Sequence, residues 1–182
     1  LNGVWKGLEA PKLDFNIIFK DLELNFLSPL GKKALNNIKG LVNGKARLWG
    51  DFNNLKHHGS LSLSNGRFSI PVLNLDYALE ESKIDLSDDS FLFKSILISD
   101  TNENTSALVN GSFSHSNFNN WNANITIDSE RMLLLNTKQR PESLFFGKGF
   151  FDGKVRLEGF TKNLNISLDG STEEGTCIKI PW

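Results

Sequence analysis

The chain has only one cysteine, Cys177, and one methionine, Met132, and carries no surplus charge, with 20 Lys and Arg against 21 Asp and Glu. A lone thiol closes no intrachain disulfide, so an ordinary side-chain core must supply stability. The 182 residues suffice for that in a single domain, 1–182. Scattered charge of net −1 gives no electrostatic footprint for nucleic acid or an anionic membrane surface, so no nucleic-acid partner is expected. No apolar run approaches the roughly 20 residues of a membrane-spanning helix, and no basic, apolar and small-residue leader opens the sequence. The apolar stretch Val4-Trp5 comes almost at once after Leu1, so the chain reads as an internal segment of a longer protein.

What is present is alternation with a period of two residues, the mark of strands with one apolar and one wet face. The apolar positions run through Leu13, Phe15, Ile17 and Phe19, then Leu61 and Leu63, Phe68 and Ile70, and Leu73, Leu75, Tyr77 and Leu79. They continue through Ile84 and Leu86, Phe91 and Phe93, Ala107, Val109 and Phe113, and Trp121, Ala123, Ile125 and Ile127. The series closes with Val155 and Leu157, Leu164, Ile166 and Leu168, and Ile178 and Ile180. Ser, Asn, Lys, Asp and Glu fill the places between, as in SLSLS and NITID, which is the pattern of antiparallel sheets. Asn65-Gly66, Asp169-Gly170 and Asp88-Asp89-Ser90 read as hairpin turns. One helical segment is expected within Ser28 to Gly40, about residues 29–39: Ser28 suits the cap, Pro29 the first turn, and Leu30, Ala34, Leu35 and Ile38 share a stripe.

A unit recurs three times: LVNGKARLWGDFNNL from Leu41, LVNGSFSHSNFNNW from Leu108 and FFDGKVRLEGFTKNL from Phe150. Each has two apolar residues, Asn or Asp, Gly, an alternating stretch, a Phe seven or eight residues after that Gly, and Asn before Leu or Trp. A strand, a turn and a strand reused in a meander would give this, and so would a linear array whose units shield their neighbours. The unequal spacing of the glycines, 67 and then 42 residues, argues against a regular solenoid or propeller.

Residues 38 to 181 resemble the TamB family of the AsmA-like group, with the flavour of its Bacteroidetes members. The blocks that carry the likeness are GKARLWGDFNNLKHHGSLSLSNGRF, NLDYALEESKIDLSDDSFLFKSILISD, ALVNGSFSHSNFNNWNANITID and LFFGKGFFDGKVRLEGFTKNLNISLDGSTEEGTCIKIP. The resemblance implies a β-taco, a long sheet folded into a trough with an apolar interior. It also implies a periplasmic location, an inner-membrane anchor in a segment not present here, and movement of phospholipid between inner and outer membranes. The family is alternatively described as assisting outer-membrane protein assembly with an Omp85-type barrel partner. It brings no catalytic motif, so only the inward apolar positions transfer.

A sheet with one apolar face must cover it, close on itself, or present it to an apolar ligand. The alternating positions above are therefore the candidate acyl-chain groove, and a β-sandwich core stays open beside it. A sandwich acting as a carbohydrate-binding module would want exposed aromatics, for which Trp49 and Trp182 are the candidates.

Catalytic and metal chemistry is not expected. No GxSxG, HxH or CxxC occurs. Asp100-Thr101-Asn102-Glu103-Asn104 opens like a calcium loop, but Thr105 stands where glycine is needed and Gly111 where Glu is needed, so it reads as a hairpin tip. His57 and His58 are adjacent and point to opposite faces of a strand, and His115, distant in sequence, lacks a companion. Acids at Glu80-Glu81, Asp85 and Asp88-Asp89 sit at wet positions. The chain is read as a non-enzyme without cofactors.

Overall fold

The computed structural model describes residues 2–6, 12–31, 34–141 and 143–181. Among the described residues twelve strands join in one sheet: β1 (Asn2–Lys6), β2 (Lys12–Glu23), β3 (Asn36–Asp51), β4 (Asn54–Ile70), β5 (Leu75–Leu79), β6 (Ser82–Asp88), β7 (Ser90–Asp100), β8 (Ser106–Ser116), β9 (Asn119–Thr137), β10 (Phe146–Phe160), β11 (Asn165–Thr172) and β12 (Cys177–Lys179). All pairings are antiparallel and follow chain order, as expected where short turns link consecutive strands. Two strand positions are split. The long β4 pairs β6 through His57–Leu63 and β5 through Gly66–Ile70, and β10 likewise pairs β11 with one half and β12 with the other. Among the described residues β1 and β11 do not pair, so the sheet is curled and open, with two free edges. One sheet joins every described strand, with no division into two separately paired sheets.

Helix is where the sequence reading fails. Leu24–Gly31 form a 3-10 helix, and Asn36 to Gly40 belong to β3; Lys32 and Lys33 lie outside the described residues. Asn36 pairs Ser69 and Lys39 pairs Arg67, so ladder hydrogen bonds to β4 outweigh the weak helical stripe. Two turn assignments are corrected as well. Asp169-Gly170 lies inside β11, opposite Lys154 and Gly153, and Asn65-Gly66 lies inside β4 at a register shift. Asn65 has φ +54, so the left-handed conformation that suits a hairpin serves here to bulge a strand. Asp89 does occupy a turn, between β6 and β7.

The threefold unit is a bulge module. Asn43, Asn110 and Asp152 each stand alone against two residues of the preceding strand: Lys20-Asp21, Lys94-Ser95 and Glu130-Arg131. In the first two the Asn side chain secures the bulge, accepting the amide of Asp21 at 2.9 Å and of Ser95 at 2.8 Å. Both bulge residues have positive φ, +47 at Asp21 and +48 at Ser95. The glycine that follows is required by close approach. At Gly44 (φ +147) a Cβ would stand 2.3 Å from the Ser60 carbonyl oxygen, and at Gly111 (φ +132) 2.0 Å from that of Asn124. A bulge beside a bare glycine raises local twist and bends the strand, and repetition of the pair curls the sheet.

Candidate apolar binding face

Pairing aligns the alternating residues of distant segments into rows. One row runs Phe19, Gly44, Leu61, Ile84, Phe93, Gly111, Ile125, Leu157 and Ile166, each the partner of the next. A flanking row runs Ile17, Ala46, Gly59, Leu86, Phe91, Phe113, Ala123 and Gly159. On the other side lie Ile96, Val109, Ile127, Val155 and Leu168. Because successive strand residues point to opposite sides, all of these share one face. The opposite face carries cross-strand ion pairs, Arg47 with Asp14 at 2.8 Å and Lys154 with Asp128 at 2.7 Å. The hydrogen bond from Arg47 holds the Asp14 carboxyl below its ordinary value.

The apolar face is not uniform. Leu75, Tyr77, Ile96, Ile98, Ala107, Met132, Leu133 and Phe150 form a buried cluster, with Phe68, Ile70, Leu73, Leu79, Ile84, Phe93, Val109 and Ile127 packed on it. Leu75 and Tyr77 therefore present no surface to a ligand. Met132 and Leu133 are consecutive and both buried, so alternation lapses where this part of the sheet is covered on both sides. Leu63 and Leu86 are also buried. Leu13, Phe15, Ile17, Leu61, Phe91, Phe113, Trp121, Ile125, Val155 and Leu157 are half-buried. At the β11 end the face lies open: Ile166, Leu168, Ile178 and Ile180 are 58%, 57%, 53% and 71% exposed, and Leu164 is exposed beside them.

Contacts across the ends of hairpins close the covered part. The β7–β8 hairpin stops at residues 101–105, and beyond it the start of β5 meets the end of β9. The Tyr77 hydroxyl donates to the Leu133 carbonyl at 2.7 Å, and the Asn136 amide to the Leu73 carbonyl at 3.0 Å. Burial pushes the Tyr77 phenol well above its ordinary value. The intervening loop is built on Asp100, fully buried, whose carboxylate accepts the amides of Asn102, Glu103 and Thr105 and the Thr105 hydroxyl. Burial raises this carboxyl and those hydrogen bonds outweigh it, leaving the group below its ordinary value. The Asp100–Asn104 motif thus directs its acid inward to its own backbone.

At the opposite lip the β6–β7 hairpin stops at Asp89, and β4 meets β8. His57 and His115, separated by 58 positions, face each other there with Nε2 to Nε2 at 2.8 Å. This corrects the expectation that His115 has no companion. His57 points into the face while His58 is exposed on the other side. Phe91, Phe113, Phe118 and Trp121 pack around the pair, with Phe118 stacked on His115 at 4.2 Å and Phe113 on Trp121 at 5.0 Å. No sequence spacing announces this cluster; the curl makes it.

Trp49 is half-buried with the Arg47 guanidinium 5.4 Å from its ring centre, and Trp182 lies outside the described residues. A cavity of about 590 Å³ is lined by Pro71 and Val72 on one side and by Thr137, Lys138, Arg140, Leu144 and Phe145 on the other. Cys177 is exposed. No helix among the described residues is long and apolar enough to cross a membrane.

An open, bulge-curled antiparallel sheet with a single apolar face, partly covered and partly bare, is the class of structure these observations define. Residues 94–182, 89 of the 182 residues, match the family model described as the TamB C-terminal domain, which supports membership of the TamB family of envelope proteins. The second and third bulge modules fall in the matched stretch; the first, at Asn43-Gly44, repeats the same geometry before it. No curated protein and no solved structure matches the chain.

Proposed function

We propose that this chain is a segment of a periplasmic lipid conduit and holds phospholipid acyl chains against the apolar face without chemical change. The observation that carries the reading is the bare apolar row on β11 and β12, continuous through Val155 and Leu157 with the inner face. Exposed aliphatic side chains in register gain from covering by hydrocarbon, about 0.8 kcal/mol for each methylene removed from water. The attraction is non-directional, so a bound chain keeps its freedom to slide. In this reading the full-length protein is tethered to the inner membrane by a segment absent from this sequence, and the opposite face, bearing exposed ion pairs, stays in water.

Photo-crosslinking amino acids at Leu168 and at the neighbouring Ser167 test it, with the protein incubated in phospholipid vesicles. Leu168 is expected to capture acyl chains and Ser167 to capture none. Equal capture at the two, or none at either, would sink the proposal.

A second reading has its own observation. β11 is a free edge whose eight residues are all exposed, a template for β-augmentation by an unfolded strand. It suits a scaffold for outer-membrane protein assembly working with an Omp85-type barrel. Capture of polypeptide in place of lipid from Leu168 would favour it.

A further inference from the structure

The lip where β4 meets β8 is held by side chains whose hydrogens are fully determined. The His115 Nδ1 accepts the Phe118 amide at 3.0 Å, so neutral His115 carries its hydrogen on Nε2 and donates it to His57 Nε2. His57 then carries its own hydrogen on Nδ1, a buried atom without a hydrogen-bond partner. Both rings are buried, at 4% and 5% exposure. Neither accepts a further proton in place. A proton on His57 Nε2 would set two N–H groups head-on across 2.8 Å, and one on His115 Nδ1 would face the Phe118 N–H.

The same two strands are tied by Asn117, whose side chain donates to the Phe52 carbonyl at 2.6 Å and accepts the Leu55 amide at 3.2 Å. The His115 amide donates to the Asp89 carbonyl at 2.9 Å. The pair thus sits where the β3–β4 turn, with Phe52, is fastened to the β8–β9 turn, with Phe118. Behind it lie Phe91, Phe113 and Trp121 of the apolar face.

We propose that His57 and His115 form an acid-released latch: a proton taken from solvent by His57 at Nε2 breaks the ring-to-ring bond, parts the two turns and uncovers the aromatic end of the apolar face. The charged groups facing the pair are Asp88 and Asp89 on the β6–β7 turn, which favour the proton, and Lys56 on β4, which opposes it. Burial, reinforced by the neighbouring His115, takes His57 down from 6.5 to about 4, and burial lowers His115 as well. A histidine kept neutral by the fold stabilises the closed lip fully above pH 6.5 and progressively less as pH falls toward its folded value. That opening admits acyl chains rests on the lipid reading above; the latch itself does not.

Long-range proton–nitrogen spectra of the 182-residue chain test it, with amide exchange at pH 8 and pH 5 corrected for intrinsic rates. At pH 8, His115 is expected to bear hydrogen on Nε2 and His57 on Nδ1. From the two His57 values, protection of the Leu55, His115 and Phe118 amides is expected to fall about thirtyfold between pH 8 and pH 5 relative to that of Leu133. Reversed tautomers, a charged ring at pH 7, or lip amides equally protected at both pH values would overturn the proposal. His57→Phe should remove the pH dependence, and a folded variant that still opens at pH 5 would likewise overturn it. If that variant does not fold, the wild-type spectra decide. Phospholipid uptake that is unchanged while the amides open would refute only the step to lipid entry.

Discussion

Leu133 and Leu168 lie on adjoining parts of the sheet and carry the same side chain, yet truncating them should have very different consequences. Leu133 is 0% exposed within the covered cluster, whereas Leu168 is 57% exposed on β11. Leu→Ala removes three carbons, about 2.4 kcal/mol of transfer free energy at 0.8 kcal/mol each. At position 133 the packed neighbours Tyr77, Ile98 and Phe150 cannot all collapse into the space, so a cavity penalty is added and the total reaches about 3–5 kcal/mol. At position 168 less than half of the side chain is out of water and no cavity forms, which leaves about 1 kcal/mol. Urea denaturation followed by circular dichroism measures both, with Leu133→Ala expected to shift the midpoint several times further at unchanged slope. Costs equal within about 0.5 kcal/mol would refute the division into a covered and a bare region. That result would also remove the observation on which lipid binding rests.

Gly111→Ala should be among the most damaging single changes, costing about 3 kcal/mol or more through both φ +132 and the clash at Asn124, while Gly149→Ala, whose added methyl meets only ordinary contact at 3.4 Å, should change stability by less than about 1 kcal/mol; thermal melts compare them. Asp100→Asn sets an NH2 group against the donors that its carboxylate now satisfies and should cost about 1–3 kcal/mol. With its pKa held below 3.8, Asp100 contributes stability that is full above that pH and lost as pH falls through the folded value, so the Asn variant should lack this part of the acid transition in a pH series of melts. Ile125→Asp places a charge between Gly111 and Leu157 on the apolar face and should weaken binding of a fluorescent acyl probe at least tenfold; Thr126→Asp, opposite Asn110 and Arg156 on the wet face, should change it less than twofold.

Strand class and face were legible in the sequence because the pleat is a local property. Ile17, Leu61, Phe93, Ile125 and Leu168 each fall on the apolar side of their own strand by local alternation, and pairing then sets those sides together. The threefold Asn/Asp-Gly unit was also visible, but its meaning was not. A hairpin and a bulge demand the same positive φ, so Asn65-Gly66 reads identically for either, and only the pairing partner distinguishes them. The helix expected near residues 29–39 gave way because hydrogen bonds from Asn36 and Lys39 to a strand some 30 residues away are absent from any local pattern.

Tertiary structure alone decided which part of the apolar face is used up in packing. The bulges bend the sheet until strands separated by a hairpin meet past its end, and this brings Tyr77 to Leu133 and His57 to His115. Sequence by itself determined that the chain has one greasy face, because period-two alternation is written residue by residue. How far that face is covered, and by which contacts, depends on curvature summed over many strands, which no single stretch of sequence contains.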